Sequence, residues 1–296
     1  MNSVLLVIKN TGDTIRKTFT IAIYSVRRRI SDSRVICLFV LHLVFVWSNI
    51  SVIGPFTKMV GVRVNPLLYP FLASDPVKQL IIFAGIVFLY SDAPFIDKSQ
   101  PYLIIRSKRT VWSLGQILYV VISSAVYFLI LMSISVLIVL PDATFATNGW
   151  GQVVNTLAQT NAASQINLQF GVSEKIISLY SPLEAFVLCF LLNWGMASFL
   201  GLFIFAISLN LGRMAGMVIS GIVLLLDLLV INSLPYSYFK FSPLSLSRLS
   251  VLDPRGISIY PGVIYAFGFY AVGIIIFSIC IIASVRKQTI EISSES

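Results

Sequence analysis

The stretch Ile117-Leu-Tyr-Val-Val-Ile-Ser-Ser-Ala-Val-Tyr-Phe-Leu-Ile-Leu-Met-Ser-Ile-Ser-Val-Leu-Ile-Val-Leu140 carries no charged side chain. Wound as a helix at about 1.5 Å per residue, it is longer than the hydrocarbon core of a bilayer, about 30 Å thick. Four more blocks of this kind occur: Val35–Ile53, Leu183–Leu209, Met214–Leu234 and Val263–Val285. A weaker sixth, Pro76–Ile96, is uninterrupted only from Leu80 to Tyr90 and has Asp92 near its end.

The whole chain fits that reading. Of its 296 residues 57% are hydrophobic and 11% charged, and mean hydropathy is +0.91. Soluble folds carry roughly 25% charged residues, and a fold of this length cannot hide blocks so long in one core. The sequence therefore predicts an all-α polytopic membrane bundle of about six transmembrane helices.

The net charge of +9 does not indicate nucleic acid, because the cations flank apolar blocks and form no separate basic domain. With six spans and the N-terminus inside, residues 1–34, 97–116, 210–213 and 286–296 face the cytoplasm. These segments hold 14 of the 21 Lys and Arg residues. Without the span at 76–96, the Arg106–Arg109 cluster moves outside and the positive-inside bias collapses, so the rule favours six spans. The loops outside are then 54–75, 141–182 and 235–262. Val4 to Ile8 is too short for the apolar region of a cleavable signal.

Residues 1–34 are of a different kind. Ile15, Phe19, Ala22/Ile23, Val26 and Ile30 recur at steps of three and four, while Lys17, Arg27 and Arg28 lie off that stripe. Such a helix rests in the headgroup layer with its cations near anionic lipid.

Catalytic signatures are nearly absent. No P-loop, H-E-x-x-H, G-x-S-x-G or C-x-x-C occurs, and Cys37, Cys189 and Cys280 have no metal-like spacing. The single histidine, His42, reads best as hydrogen-bonded to a neighbouring helix. Asp227, in Ile222-Val-Leu-Leu-Leu-Asp-Leu-Leu-Val230, is the acid that stands out. Unpaired and ionised in lipid it costs several kcal/mol, so it must face protein or water. It belongs either to a translocation path or to a lock between helices, with no base nearby in the sequence. Gly195, Ser198 and Gly201 line one helix, and Gly212, Gly216 and Ser220 the next, at spacings that let helix backbones approach closely. Whether that contact lies within the chain or across a dimer is open at this stage. The loop at 141–182 is rich in amides, and Pro235 to Pro261 mixes aromatics with turn formers, as in an element dipping back into the membrane.

The segment between the second and third blocks is the most informative: Tyr90-Ser-Asp-Ala-Pro-Phe-Ile-Asp97-Lys-Ser-Gln-Pro101-Tyr-Leu-Ile-Ile-Arg106-Ser-Lys-Arg-Thr-Val-Trp112-Ser-Leu-Gly115. An ordinary basic loop explains its charges but not the apolar knob Tyr102–Ile105.

With this segment in view, the chain resembles the permease subunits of ABC transporters of the type-2 exporter class. A basic amphipathic helix, six spans, an acid at the end of the second span and the Arg106-Ser-Lys-Arg109 run into the third carry the resemblance. It implies that Asp97, Pro101, Tyr102, Leu103, Ile104, Arg106, Lys108 and Arg109 form a coupling helix seated on a separate ATPase. The helix bearing Lys17, Phe19, Ile23, Arg27 and Arg28 would be the interfacial elbow. Two ATPase copies, holding ATP and Mg²⁺, would drive two permeases, identical or homologous, with no cofactor in this chain. The cargo would be a peptide, such as an antimicrobial peptide, or another amphipathic molecule, exported across a bacterial plasma membrane. The 141–182 loop is longer, and the second span shorter, than the pattern asks. Competing expectations are an ion-coupled carrier using Asp227, a membrane scaffold or sensor, and an intramembrane enzyme.

Overall fold

A computed structural model of the chain describes residues 2–95, 107–145, 149–256 and 258–287. Among them every regular element is helical. In chain order these are α1 (Asn2–Ile30), α2 (Ser33–Ile50), α3 (Ile53–Val60), α4 (Tyr69–Ser74), α5 (Pro76–Leu89), α6 (Arg109–Val139), α7 (Gly151–Gln159), α8 (Ala162–Gln165), α9 (Glu174–Leu179), α10 (Pro182–Leu211), α11 (Arg213–Ser233) and α12 (Val263–Lys287). Five are long and apolar enough to cross a membrane: the α2–α3 pair, α6, α10, α11 and α12. The protein is a helical membrane bundle.

The bundle has a basic end, where α1 packs on α6 and where Arg29, Arg34 and Arg213 surround Asp92, and a loop end at the opposite pole. Helix α10 is the hub, packed on α6, α11 and α12. Its start is set by a capping box, in which Ser181 accepts from the Glu184 amide and Glu184 accepts from the Ser181 amide, with Pro182 at the first position.

Small residues set the packing distances. A methyl group at Gly216 would stand 2.1 Å from Ser208 Oγ and 3.0 Å from the Ile204 carbonyl, so α11 lies against α10 backbone to backbone. Gly201 admits the Tyr90 ring and Val120, Gly195 faces Tyr270, and Ser198 and Ser220 are buried. These five positions are packed within the chain. Gly212 differs: a methyl there meets nothing within 4 Å, and its φ of +91° makes it the one-residue connector between α10 and α11. Its role is the turn, because only glycine enters that backbone region without strain.

Helix α5 departs from expectation. It ends at Leu89, seven residues short of the predicted limit, and Ser91–Pro94 form a turn. At about 21 Å it is too short to span the core by itself. The buried α4 precedes it at a corner, where Asp75 accepts from the Val77 and Lys78 amides. Gly85 on α5 admits the His42 ring from α2 and the Tyr127 hydroxyl from α6. His42 Nδ1 pairs with the Leu38 carbonyl at 3.0 Å, and its Nε2 lies 3.4 Å from the Ile81 carbonyl of α5.

Helix α1 has three faces rather than two. Ile21, Ala22 and Ser25 are buried against α6, with Ile21 seated on Gly115. Ile15, Phe19, Ile23 and Ile30 are exposed along a second stripe, and Lys17, Arg27 and Arg28 occupy a third. The expected stripe thus splits, with Ala22 and Val26 turned toward the bundle. The helix is docked on protein and not only laid on lipid.

At the loop end, residues 149–182 form a small folded cap over Trp150, Val153, Val154, Leu157, Phe170, Ile176 and Tyr180. Trp150 packs on Phe71 of α4, ring centres 4.7 Å apart and planes tilted by 60°, and donates its indole N–H to the Tyr180 carbonyl. An isolated bridge between Val64 and Ala143 fastens the segment before the cap to that after α3. No charged residue occurs between Asp142 and Glu174.

Candidate functional site

Two charged centres stand out, one at each end. The first is built around Asp227, on the buried edge of α11 with Gly216, Ser220 and Leu224. Six residues separate Asp227 from the end of α11, placing it about 9 Å below that end. From there the chain does not stay outside. After the turn Tyr236–Phe241, exposed except at the buried Phe239, it re-enters, and Ser242, Leu244–Leu249 and Val251–Asp253 are buried. This plug packs on α10 through the short turn Ser245–Ser247.

The plug carries the base that Asp227 lacks in its own helix. Arg248 donates to Asp227 Oδ2, and both side chains are buried, at 1% and 0% exposure. Ser242 and Ser245 donate to Asp227 Oδ1, the latter at 2.6 Å. Gln79 of α5 donates to Ser247 Oγ at 2.6 Å, and the Tyr270 hydroxyl of α12 donates to the Pro243 carbonyl at 2.7 Å. One carboxylate therefore gathers a guanidinium and two hydroxyls, and three helices grip the same plug. In hydrocarbon, where an unpaired charge is costly, this satisfies every oxygen of Asp227.

The sequence singles out Asp227 but not Arg248, 21 residues on in the segment Pro235 to Pro261, because nothing in the order of the residues pairs the two. A signal was present: Ser242-Pro-Leu-Ser-Leu-Ser-Arg-Leu-Ser-Val-Leu252 is half apolar, with one charge in its middle.

The second centre lies at the basic end. Asp92, just past α5, accepts from Arg29 of α1 and, at 3.0 Å, from Arg34 of α2. The Arg29 guanidinium also stands 5.6 Å from the Phe95 ring centre. Burial raises the Asp92 carboxyl. The Arg29 hydrogen bond, with the charges of Arg29, Arg34 and Arg213, outweighs that and leaves it below the usual carboxylate value. Phe95 in turn packs at 5.2 Å on both Tyr119 of α6 and Phe205 of α10.

Of the predicted coupling residues, Lys108 and Arg109 are exposed at the start of α6. Asp97, Pro101, Tyr102, Leu103, Ile104 and Arg106 lie outside the described residues. Among the described residues, no group of three His, Cys, Asp or Glu side chains stands close enough to hold a metal ion. No protein-family model, curated protein or solved structure matches this chain.

Proposed function

We propose that this chain is the membrane-spanning permease subunit of an ATP-driven exporter whose ATPase is a separate polypeptide. The observation that carries the reading is the brace at the basic end. The predicted coupling segment follows Phe95 and precedes α6, which begins at Arg109, and the residues just ahead of it are tied to four helices. Asp92 binds α1 and α2 through Arg29 and Arg34, and Phe95 packs on α6 and α10. A soluble motor pressing on residues 97–109 would thus act on most of the bundle at once. In this reading the basic end faces the cytoplasm of a bacterial cell, in accord with the positive-inside rule. Two such chains and two ATPases form the working unit, and the cargo is a peptide or similar amphipathic molecule.

The ion-coupled alternative rested on a lone Asp227, and its ties to Arg248, Ser242 and Ser245 support a structural role instead. The test is purification of the tagged chain in mild detergent from its native cells, followed by mass spectrometry. A near-stoichiometric P-loop ATPase is expected, and Tyr102→Asp with Leu103→Asp should lose it while keeping the chain in the membrane. Absence of any ATPase, under conditions where known membrane complexes survive, sinks the proposal.

A further inference from the structure

We infer that the re-entrant segment Ser242–Asp253 is a two-state plug at the loop end, latched shut by the Asp227–Arg248 pair. Its seam is the first reason. An apolar plug is held in a membrane protein by packing alone, whereas this one meets the bundle through Ser242, Ser245, Ser247, Arg248, Asp227, Gln79 and Tyr270. A surface of hydroxyls and charges is stable dry only while its main partners are in place, and it is equally compatible with water once parted.

The closed seam also leaves two buried atoms without a hydrogen-bond partner among the described residues, Gln79 Oε1 and Arg248 Nε. Both lie on the faces that would meet water on opening, so hydration offsets part of the loss of the latch. A buried ion pair adds little stability relative to apolar residues of the same size, and its best-attested use is to specify one state among several.

The tethers are the second reason. On one side Ser233–Tyr238, and on the other Pro254–Gly256, are exposed, and the second tether turns at Gly256 with φ +64°. Besides the latch, the flanks of the buried piece are held by the Asp253 N–H to the Pro261 carbonyl and by the Tyr265 hydroxyl to the Lys240 carbonyl, and parting these bonds lets it move without unwinding α11 or α12. Leu244, Leu246, Leu249 and Leu252 ride with it and are buried when the latch is closed. Opening exposes a charged, wettable surface about 9 Å below the end of α11, roughly a third of the way into the hydrocarbon core. This inference stands apart from the ATPase assignment, because the latch lies wholly within one chain.

The experiment is thiol labelling of the full chain in nanodiscs, with both faces open to reagent. Cys37, Cys189 and Cys280 are first replaced by Ala, and Leu249→Cys then reports on the plug without touching the latch. Parent protein labels slowly with a membrane-impermeant maleimide. Asp227→Asn should label about tenfold faster or more, since labelling follows the open population. The apolar pair Asp227→Leu with Arg248→Met should label more slowly than the parent, because its seam no longer favours water. Equal rates in parent and Asp227→Asn, with both proteins folded by thermal melting, overturn the latch. If Asp227→Asn does not survive purification, the apolar pair decides: labelling at or above the parent rate overturns the inference.

Discussion

Arg248 reaches back across 21 residues to donate to the carboxylate of Asp227, and neither side chain touches solvent. The pair joins an irregular segment to a helix that otherwise contacts the bundle through a narrow edge of Gly216, Ser220 and Leu224. The position of α11 and that of the plug therefore depend on each other.

Breaking the pair from one side should be costly. Asp227→Ala leaves Arg248 buried and unpaired, and we expect a loss of about 3–5 kcal/mol. Asp227→Leu with Arg248→Met should fall within about 1–2 kcal/mol of the parent, because the desolvation cost goes with the charges. Thermal unfolding in detergent reads both, and equal losses would show that the pair is not coupled.

The α10–α11 contact gives a sharper contrast among glycines. Gly216→Ala drives a methyl into Ser208 and the Ile204 carbonyl and should destabilise by about 1–3 kcal/mol. Gly221→Ala, with nothing within 4 Å, should lie within about 1 kcal/mol of the parent and on the stabilising side. A shared penalty at both positions would contradict the packing described.

Asp92 predicts a pH window. Its carboxyl lies below the usual value when folded, so its contribution is present above the unfolded pKa of about 3.9 and is lost as pH falls through the lower folded value. The hold on α1 should therefore be flat from pH 8 to 5 and fail only in strong acid. Asp92→Asn should release it at neutral pH, seen as faster tryptic cleavage at Arg27 and Arg28. Cleavage unchanged by the substitution would remove Asp92 from the brace.

The cap at the loop end should come apart locally. Trp150→Ala removes the ring contact with Phe71 and the bond to Tyr180, at a cost of about 3–5 kcal/mol if the cap is one cooperative unit. Hydrogen exchange should accelerate across 150–180 while α6 and α10 keep their protection.

The membrane class was readable because hydrocarbon imposes a crude demand: some twenty apolar residues in a row. Gly195, Gly201, Gly216 and Ser220 were readable as packing positions for a related reason, since lipid gives helices no hydrophobic drive to associate and close approach must replace it. Three features were not. Helix α5 falls short because the apolar run begins at the Asp75 corner after α4 and breaks into a turn at Ser91, and local composition does not encode such breaks. The inner face of α1 is built from Ile21, Ala22 and Ser25, too small and mixed to stand out as a stripe. Arg248 was hidden by distance, since its meaning resides in a partner on another element.

The single-residue link at Gly212 has a consequence for biosynthesis. With so short a turn, α10 and α11 emerge as one hairpin, and Asp227 is committed to that hairpin before Arg248 has been made. At about 5–20 residues per second, the 21 residues between them take roughly one to four seconds. Through that interval the acid must be carried by a proton, by water or by the insertion machinery, and the arrival of Arg248 is the step that completes the helix pair.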